Sequence, residues 1–150
     1  MITFKPTDVV EIARTYIGAP FRHQGRSKVY GVDCVGLLVC VLWEMDIKVD
    51  DIANYNGLVD ADLLRSKLDT TLDELPLTLA MEGNTQIMKQ IYLPGDILLL
   101  RIGKNPQHIG IVTDIGIIHT HEGSGQVVET SLGKWKERIV TAYHIYGVEK

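Results

Sequence analysis

Two cysteines and five histidines are the residues of this chain best suited to nucleophilic chemistry. Cys34 follows Asp33 where a polar loop, Phe21 to Val32, gives way to the apolar run Val35 to Trp43. The length and apolar character of that run describe a helix from Asp33 to about Met45, buried on most sides. Asp is a favoured N-cap, so Cys34 falls in the first turn, where unsatisfied backbone N–H groups and the macrodipole favour a thiolate. The same N–H groups are placed to hold an oxyanion, which makes the Asp33–Cys34 step a candidate for that role. A thiol in this position still needs a base to take its proton, and an imidazole is the usual one.

The base must come from His23, His108, His119, His121 or His144. His108 stands in an alternating segment, Gln107 to Thr113, which puts His108, Gly110 and Val112 on one face and Ile109 and Ile111 on the other. The small Gly110 is expected to leave room for a packed helix end. His119 and His121 lie two residues apart and share a face, so either can orient His108 through its second ring nitrogen, as the third member of a triad does. These residue types allow a cysteine hydrolase with Cys34 as nucleophile and His108 as a candidate base, while a buried thiol near a helix start and a histidine on a strand are more often packing residues.

Other residues fit blander roles. Cys40 sits among Leu38, Val39, Val41 and Leu42 and reads as an inert core thiol. On one helix it stands a rise of roughly 9 Å from Cys34, too far for a disulfide. Zinc on His108, His119 and His121 is geometrically conceivable but leaves Cys34 without a role, so no metal and no cofactor is assigned. Gly36 costs roughly 1 kcal/mol in a helix interior and points to the close approach of another segment or of substrate. Arg22, Arg26 and Lys28 either meet a substrate carboxylate or are solvated. Asp96 serves a turn, Glu122 and Glu129 are solvated, and Trp43 and Trp135 pack.

The elements that must position these groups follow from periodicity. Asp8 reads as the cap of a first helix through Ile17, which Gly18 and Pro20 end. Asp60 to Leu68 has helical character. Asp73 to Ala80 and Gln86 to Ile91 read as short helical pieces interrupted at Pro76 and Gly83. Strands are expected at 96–101, 107–113, 116–120, 126–130 and 140–146, joined by short turns and therefore antiparallel. Helices first and strands later make an α+β chain. Its 150 residues suit one domain, 1–150.

Composition narrows the partners. The chain is 45% hydrophobic and 23% charged with a net charge of -4, and no basic cluster argues for nucleic acid. No apolar run is long enough for membrane insertion. Met1 to Pro6 lacks the basic and apolar regions of a secretory signal, so synthesis in the cytoplasm is expected.

Five blocks in order carry a family resemblance: Gly18-Ala19-Pro20-Phe21-Arg22-His23-Gln24-Gly25, Asp33-Cys34-Val35-Gly36-Leu37, Pro94-Gly95-Asp96-Ile97-Leu98-Leu99, His108-Ile109-Gly110-Ile111-Val112 and Ile118-His119-Thr120. Together they resemble the NlpC-type cell-wall peptidases of bacteria. The Arg22-His23-Gln24 segment and Trp135 to Tyr143 are similar to a subgroup found in phage tails and prophages. The resemblance implies a papain-like fold, with the helix of Cys34 packed on a C-terminal antiparallel sheet. It implies Cys34 as nucleophile, His108 as general base and His119 as third member, with His121 as the alternative. The implied reaction is hydrolysis of amide bonds in peptidoglycan stem peptides, typically after D-γ-glutamyl residues. A phage tail tip is the implied setting, with tail-tip proteins as partners and the virion or the host cell wall as the place of action.

Two positions depart from the family pattern. Phe21 stands where the family commonly has Tyr, and a phenyl ring cannot donate a hydrogen bond. His23 and Tyr30 are the alternative donors. Val35 stands where Ser is common. These departures keep two other readings in view: a tail-assembly component with the same fold and little catalysis, and a cytosolic thiol amidase or acyltransferase.

Overall fold

The computed structural model describes residues 3–52 and 55–150. Met1 and Ile2, on which the reading of the N-terminus partly rests, lie outside the described residues. The elements in chain order are α1 (Pro6–Arg14), β1 (Arg26–Ser27), β2 (Gly31–Val32), α2 (Cys34–Glu44), α3 (Ala61–Thr71), β3 (Asp73–Glu74), β4 (Leu77–Glu82), β5 (Thr85–Gln90), β6 (Ile97–Ile102), β7 (Asn105–Val112), β8 (Ile117–His119), β9 (Val128–Thr130), a 3-10 helix (Gly133–Arg138) and β10 (Ile139–His144).

Six strands form one antiparallel sheet in the order β3-β10-β6-β7-β8-β9. The helices lie against one face, and α2 packs across β7. The larger core joins Val35, Leu38 and Leu42 of α2 to Ile109 and Ile111 of β7 and Ile118 of β8. A smaller apolar layer covers the opposite face, where Leu98, Leu100, Val112 and Ile117 meet Trp135. The strand alternation read from the sequence is thus realised, with Ile109 and Ile111 towards the helices and Val112 away from them. Gly110 belongs to the far face, where a Cβ would meet Ile117 and Leu100 side chains. It makes no room for a helix end; it admits the second apolar layer.

Several boundaries differ from expectation for identifiable reasons. Asp8 is not the cap of α1. The helix starts at Pro6, whose missing N–H is harmless in the first turn, and the Asp8 carboxylate accepts from the Lys5 backbone N–H at 2.7 Å. The helical readings of 73–80 and 86–91 are overturned: β4 and β5 form a two-stranded hairpin. Leu77, Leu79 and Met81 alternate at period two, and Gly83-Asn84 is a two-residue turn with Gly83 at φ +59°. The loop before α2 folds into the small β1–β2 pair, and a 3-10 helix precedes β10. His108 stands inside β7, which begins at Asn105, two residues earlier than expected.

Candidate active site

The N-terminus of α2 is built as the sequence predicts. Asp33 caps it, its Oδ1 accepting from the Gly36 N–H at 2.8 Å. The same carboxylate accepts from Arg26 at 3.0 Å, from the Gln24 N–H at 2.9 Å and from the Tyr55 hydroxyl. Both oxygens are therefore engaged, and Asp33 organises the helix start. Gly36 permits this: a Cβ there would overlap the Gly25 carbonyl oxygen and press on Arg26. The close approach inferred from that glycine is thus made by the preceding loop.

Arg26 is wholly committed. It also pairs with Asp51 at 2.8 Å and donates to the Ile52 carbonyl and the Tyr55 hydroxyl. Lys28 lies 4.0 Å from Glu44 and over the Tyr16 ring. Of the three cations considered for a substrate carboxylate, these two are held internally. The sequence reading of Glu129 as solvated is corrected: it is paired with Arg14 at 2.8 Å. Asp96 does serve its turn, accepting from the Leu93 N–H, and also pairs with His144 at 2.8 Å.

Cys34 and Cys40 are free and buried. The Cys34 Sγ lies 3.9 Å from the Gln107 carbonyl oxygen, on the strand that carries His108. The thiol is not depressed by its helix position. Burial, reinforced by the neighbouring Asp33 carboxylate, pushes it up to about 12, while the Ile109 and Val35 backbone N–H groups act the other way. Desolvation outweighs the helix terminus here because thiolate formation requires a charge in a closed site.

His108 Nε2 lies 2.9 Å from His119 Nδ1, and His119 Nε2 lies 3.3 Å from Thr130 Oγ1. His108 and His119 are 1% and 2% exposed. Burial, with adverse charge from the neighbouring rings, pulls His108 down to about 3 and His119 to about 4. Both rings are neutral at physiological pH. Trp135 stacks on His108 at 4.8 Å between centroids and 29° between planes, and its edge contacts reach His119 and His121. Its packing role is therefore against the histidines themselves.

Of the two candidates for the third position, His119 makes the bond to His108. His121 stands edge-on to His108 at 5.7 Å, and its Nδ1 accepts from the Gly123 N–H at 3.1 Å. Among the described residues, no group of three or more His, Cys, Asp or Glu is arranged to hold a metal ion.

A cleft of about 390 Å³ is lined by Cys34, His108, His121, Phe21, His23 and Tyr55, among others. The structure thus brings Cys34, Asp33, His108, His121, Phe21 and His23 to one cleft, with His119 behind His108. Tyr30 is not brought there; it is 72% exposed. Phe21 supplies ring surface. The hydroxyl near the helix start comes from Tyr55, whose carbonyl also accepts from Gln24 and pairs with His23 Nε2 at 2.9 Å. Tyr55 lies between α2 and α3, outside the segments that carry motifs in the sequence, and no local signal marks it.

The NlpC/P60 family model matches residues 18–144. The NlpC/p60 domain of the peptidoglycan hydrolase SagA superposes with a TM-score of 0.60 at 18% identity, over 94% of this chain and 99% of that one. NlpC2 from Trichomonas vaginalis gives 0.62 at 15%, over 97% of this chain and 48% of that one. A protein described as similar to lipoprotein, of the NLP/P60 family, from Staphylococcus aureus subsp. aureus Mu50 gives 0.58 at 16%, over 97% and 42%. The chain thus spans nearly all of the first and under half of the other two. No curated protein matches the sequence. The α+β arrangement is that of these papain-like domains.

Proposed function

The chain belongs to the NlpC/P60 family, and from that premise we propose that it is a cysteine peptidase hydrolysing amide bonds in peptidoglycan stem peptides, of the D-γ-glutamyl type. The observation that carries the reading is the convergence of Cys34, at the start of α2, with the His108–His119 pair at one cleft.

The chemistry follows from the tautomers. If His108 Nε2–H donates to His119 Nδ1, then His119 carries its proton on Nε2 and donates to Thr130. His108 Nδ1 is then a free lone pair, the form a general base requires. Cys34 passes its proton to His108 as sulfur bonds to the carbonyl carbon. His108 returns that proton to the leaving nitrogen as the C–N bond breaks, leaving a thioester. Water, deprotonated by His108, releases the acid and restores the thiol. The Cys34 backbone N–H supports the oxyanion. Because thiol and imidazole both rest neutral, proton transfer accompanies attack rather than preceding it.

The similarity of Arg22-His23-Gln24 and Trp135 to Tyr143 to phage-tail members supports a setting at a tail tip, with tail proteins as partners and the virion or host wall as the place of action. A second reading is a tail-assembly component of the same fold with little catalysis. It is favoured by the Cys34 sulfur, which contacts the Gln107 carbonyl and makes no hydrogen bond to His108 among the described residues. A thiol amidase or acyltransferase would use the same groups on another acyl donor.

Incubation with defined stem peptides, followed by mass spectrometry of the products, separates these. Cleavage by the parent and none by Cys34→Ala is the expected result. No turnover on any stem peptide refutes the peptidase reading.

A further inference from the structure

Among the described residues, one buried side-chain nitrogen or oxygen has no hydrogen-bond partner: Thr120 Oγ1. Buried hydroxyls are nearly always paired, because an unpaired one has given up its hydration for nothing. The fold satisfies its other buried threonines. Thr113 Oγ1 accepts from the Ile115 and Gly116 N–H groups, and Thr141 Oγ1 bonds to Gln90 and Glu74. The exception lies at the cleft. Thr120 lines it together with Cys34 and His108.

Ile118 packs into the core with α2 and His119 turns to the opposite face to meet His108, while Thr120 follows the end of β8 and lines the cleft beside Cys34. Among the described residues no Lys or Arg lines the cleft, so an uncharged acceptor suits the hydroxyl better than a carboxylate. Thr120 is enclosed in the free protein, at 0% exposure. The half-buried His121 follows it in the chain and lines the same cleft, and the assignment below requires that side chain to move aside.

We propose that Thr120 is a substrate-positioning residue, whose hydroxyl donates to a peptide carbonyl oxygen next to the bond that Cys34 attacks. The assignment rests on the peptidase reading above. It names a group that binds the substrate without taking part in bond making or proton transfer.

The test compares the parent, Thr120→Val and Thr120→Ser on a stem peptide that the parent cleaves, with melting temperature measured alongside. Valine keeps the shape and removes only the hydroxyl. The expected result for Thr120→Val is a KM raised about tenfold, a kcat within about twofold and an unchanged or higher melting temperature. Thr120→Ser restores KM to within about twofold of the parent. A KM unchanged by valine overturns the assignment alone. A lowered melting temperature with unchanged KM overturns it too, because it shows the hydroxyl already paired inside the fold, for example to an enclosed water. A parent that cleaves no stem peptide overturns the peptidase reading, and this assignment falls with it.

Discussion

His108 and His119 share a 2.9 Å hydrogen bond between Nε2 and Nδ1, across the faces of two neighbouring strands. That bond leaves His108 Nδ1 as the unengaged ring nitrogen, the one the proposed mechanism uses as the base for Cys34. His119→Ala is expected to lower kcat about 100-fold with KM little changed, since the base loses its orientation and not its substrate. His119→Gln, which can still accept from Nε2–H, should recover part of that loss. Steady-state kinetics on a stem peptide measure both.

The raised thiol gives a pH signature. With Cys34 pushed up to about 12 and His108 down to about 3, the resting pair is neutral across the physiological range. Alkylation of the free protein by iodoacetamide should therefore accelerate about tenfold per pH unit from pH 7 to 10. A flat rate over that range would instead reveal a thiolate–imidazolium pair already formed.

The histidines also predict acid sensitivity. Their folded values, about 3 for His108 and about 4 for His119, lie below the 6.5 of an ordinary imidazole. As pH falls, the unfolded chain takes up these protons first. The stability that the neutral rings contribute is complete above pH 6.5 and drains away as pH falls towards 4 and 3. The slope is up to about 1.4 kcal/mol per pH unit for each ring. Urea unfolding of the parent between pH 7 and 4 should show this slope, and His108→Gln should show less of it.

Arg26 is a structural cation. Arg26→Met leaves the Asp33 carboxylate buried beside the helix start with one counter-charge fewer, and should destabilise by about 3–5 kcal/mol. The loss should be visible in denaturant midpoints before any assay of activity. Truncation of Arg22, for which no ion pair is recorded among the described residues, should fall within about 0.5 kcal/mol of the parent.

The β4–β5 hairpin supplies the contrast. Leu79 and Met88 face one another across it and are 59% and 57% exposed. Leu79→Lys removes little buried surface, so stability should change by less than about 0.5 kcal/mol, with kinetics unaltered. Thermal unfolding checks the first and stem-peptide turnover the second.

Much of the site was legible in local pattern. The apolar run after Asp33 specified a capped helix, because an Asp side chain satisfies a first-turn N–H and the run is too long for a strand. The alternation around Ile109 and Ile111 separated the two faces of β7, but Gly110 pointed to the wrong one as the face that meets the helices. The strand order was not legible, since antiparallel pairing is a choice among distant partners. The hairpin at 77–90 is not specified locally: its period-two alternation of Leu77, Leu79 and Met81 is short, and Pro76 and Gly83 are as compatible with helix ends as with a strand start and a turn.

The sequence by itself determined the residue types, the helix that presents Cys34 and the strand that presents His108. Only the tertiary structure paired His108 with His119 and set His121 edge-on to it, because a hydrogen bond depends on where two strands stand relative to one another. It alone brought Tyr55 to Asp33 and left Thr120 without a partner, since both outcomes depend on segments far apart in the chain. It also reversed the expected ease of ionising Cys34: a helix N-terminus is local and visible in sequence, whereas the burial that opposes it is a property of the whole fold.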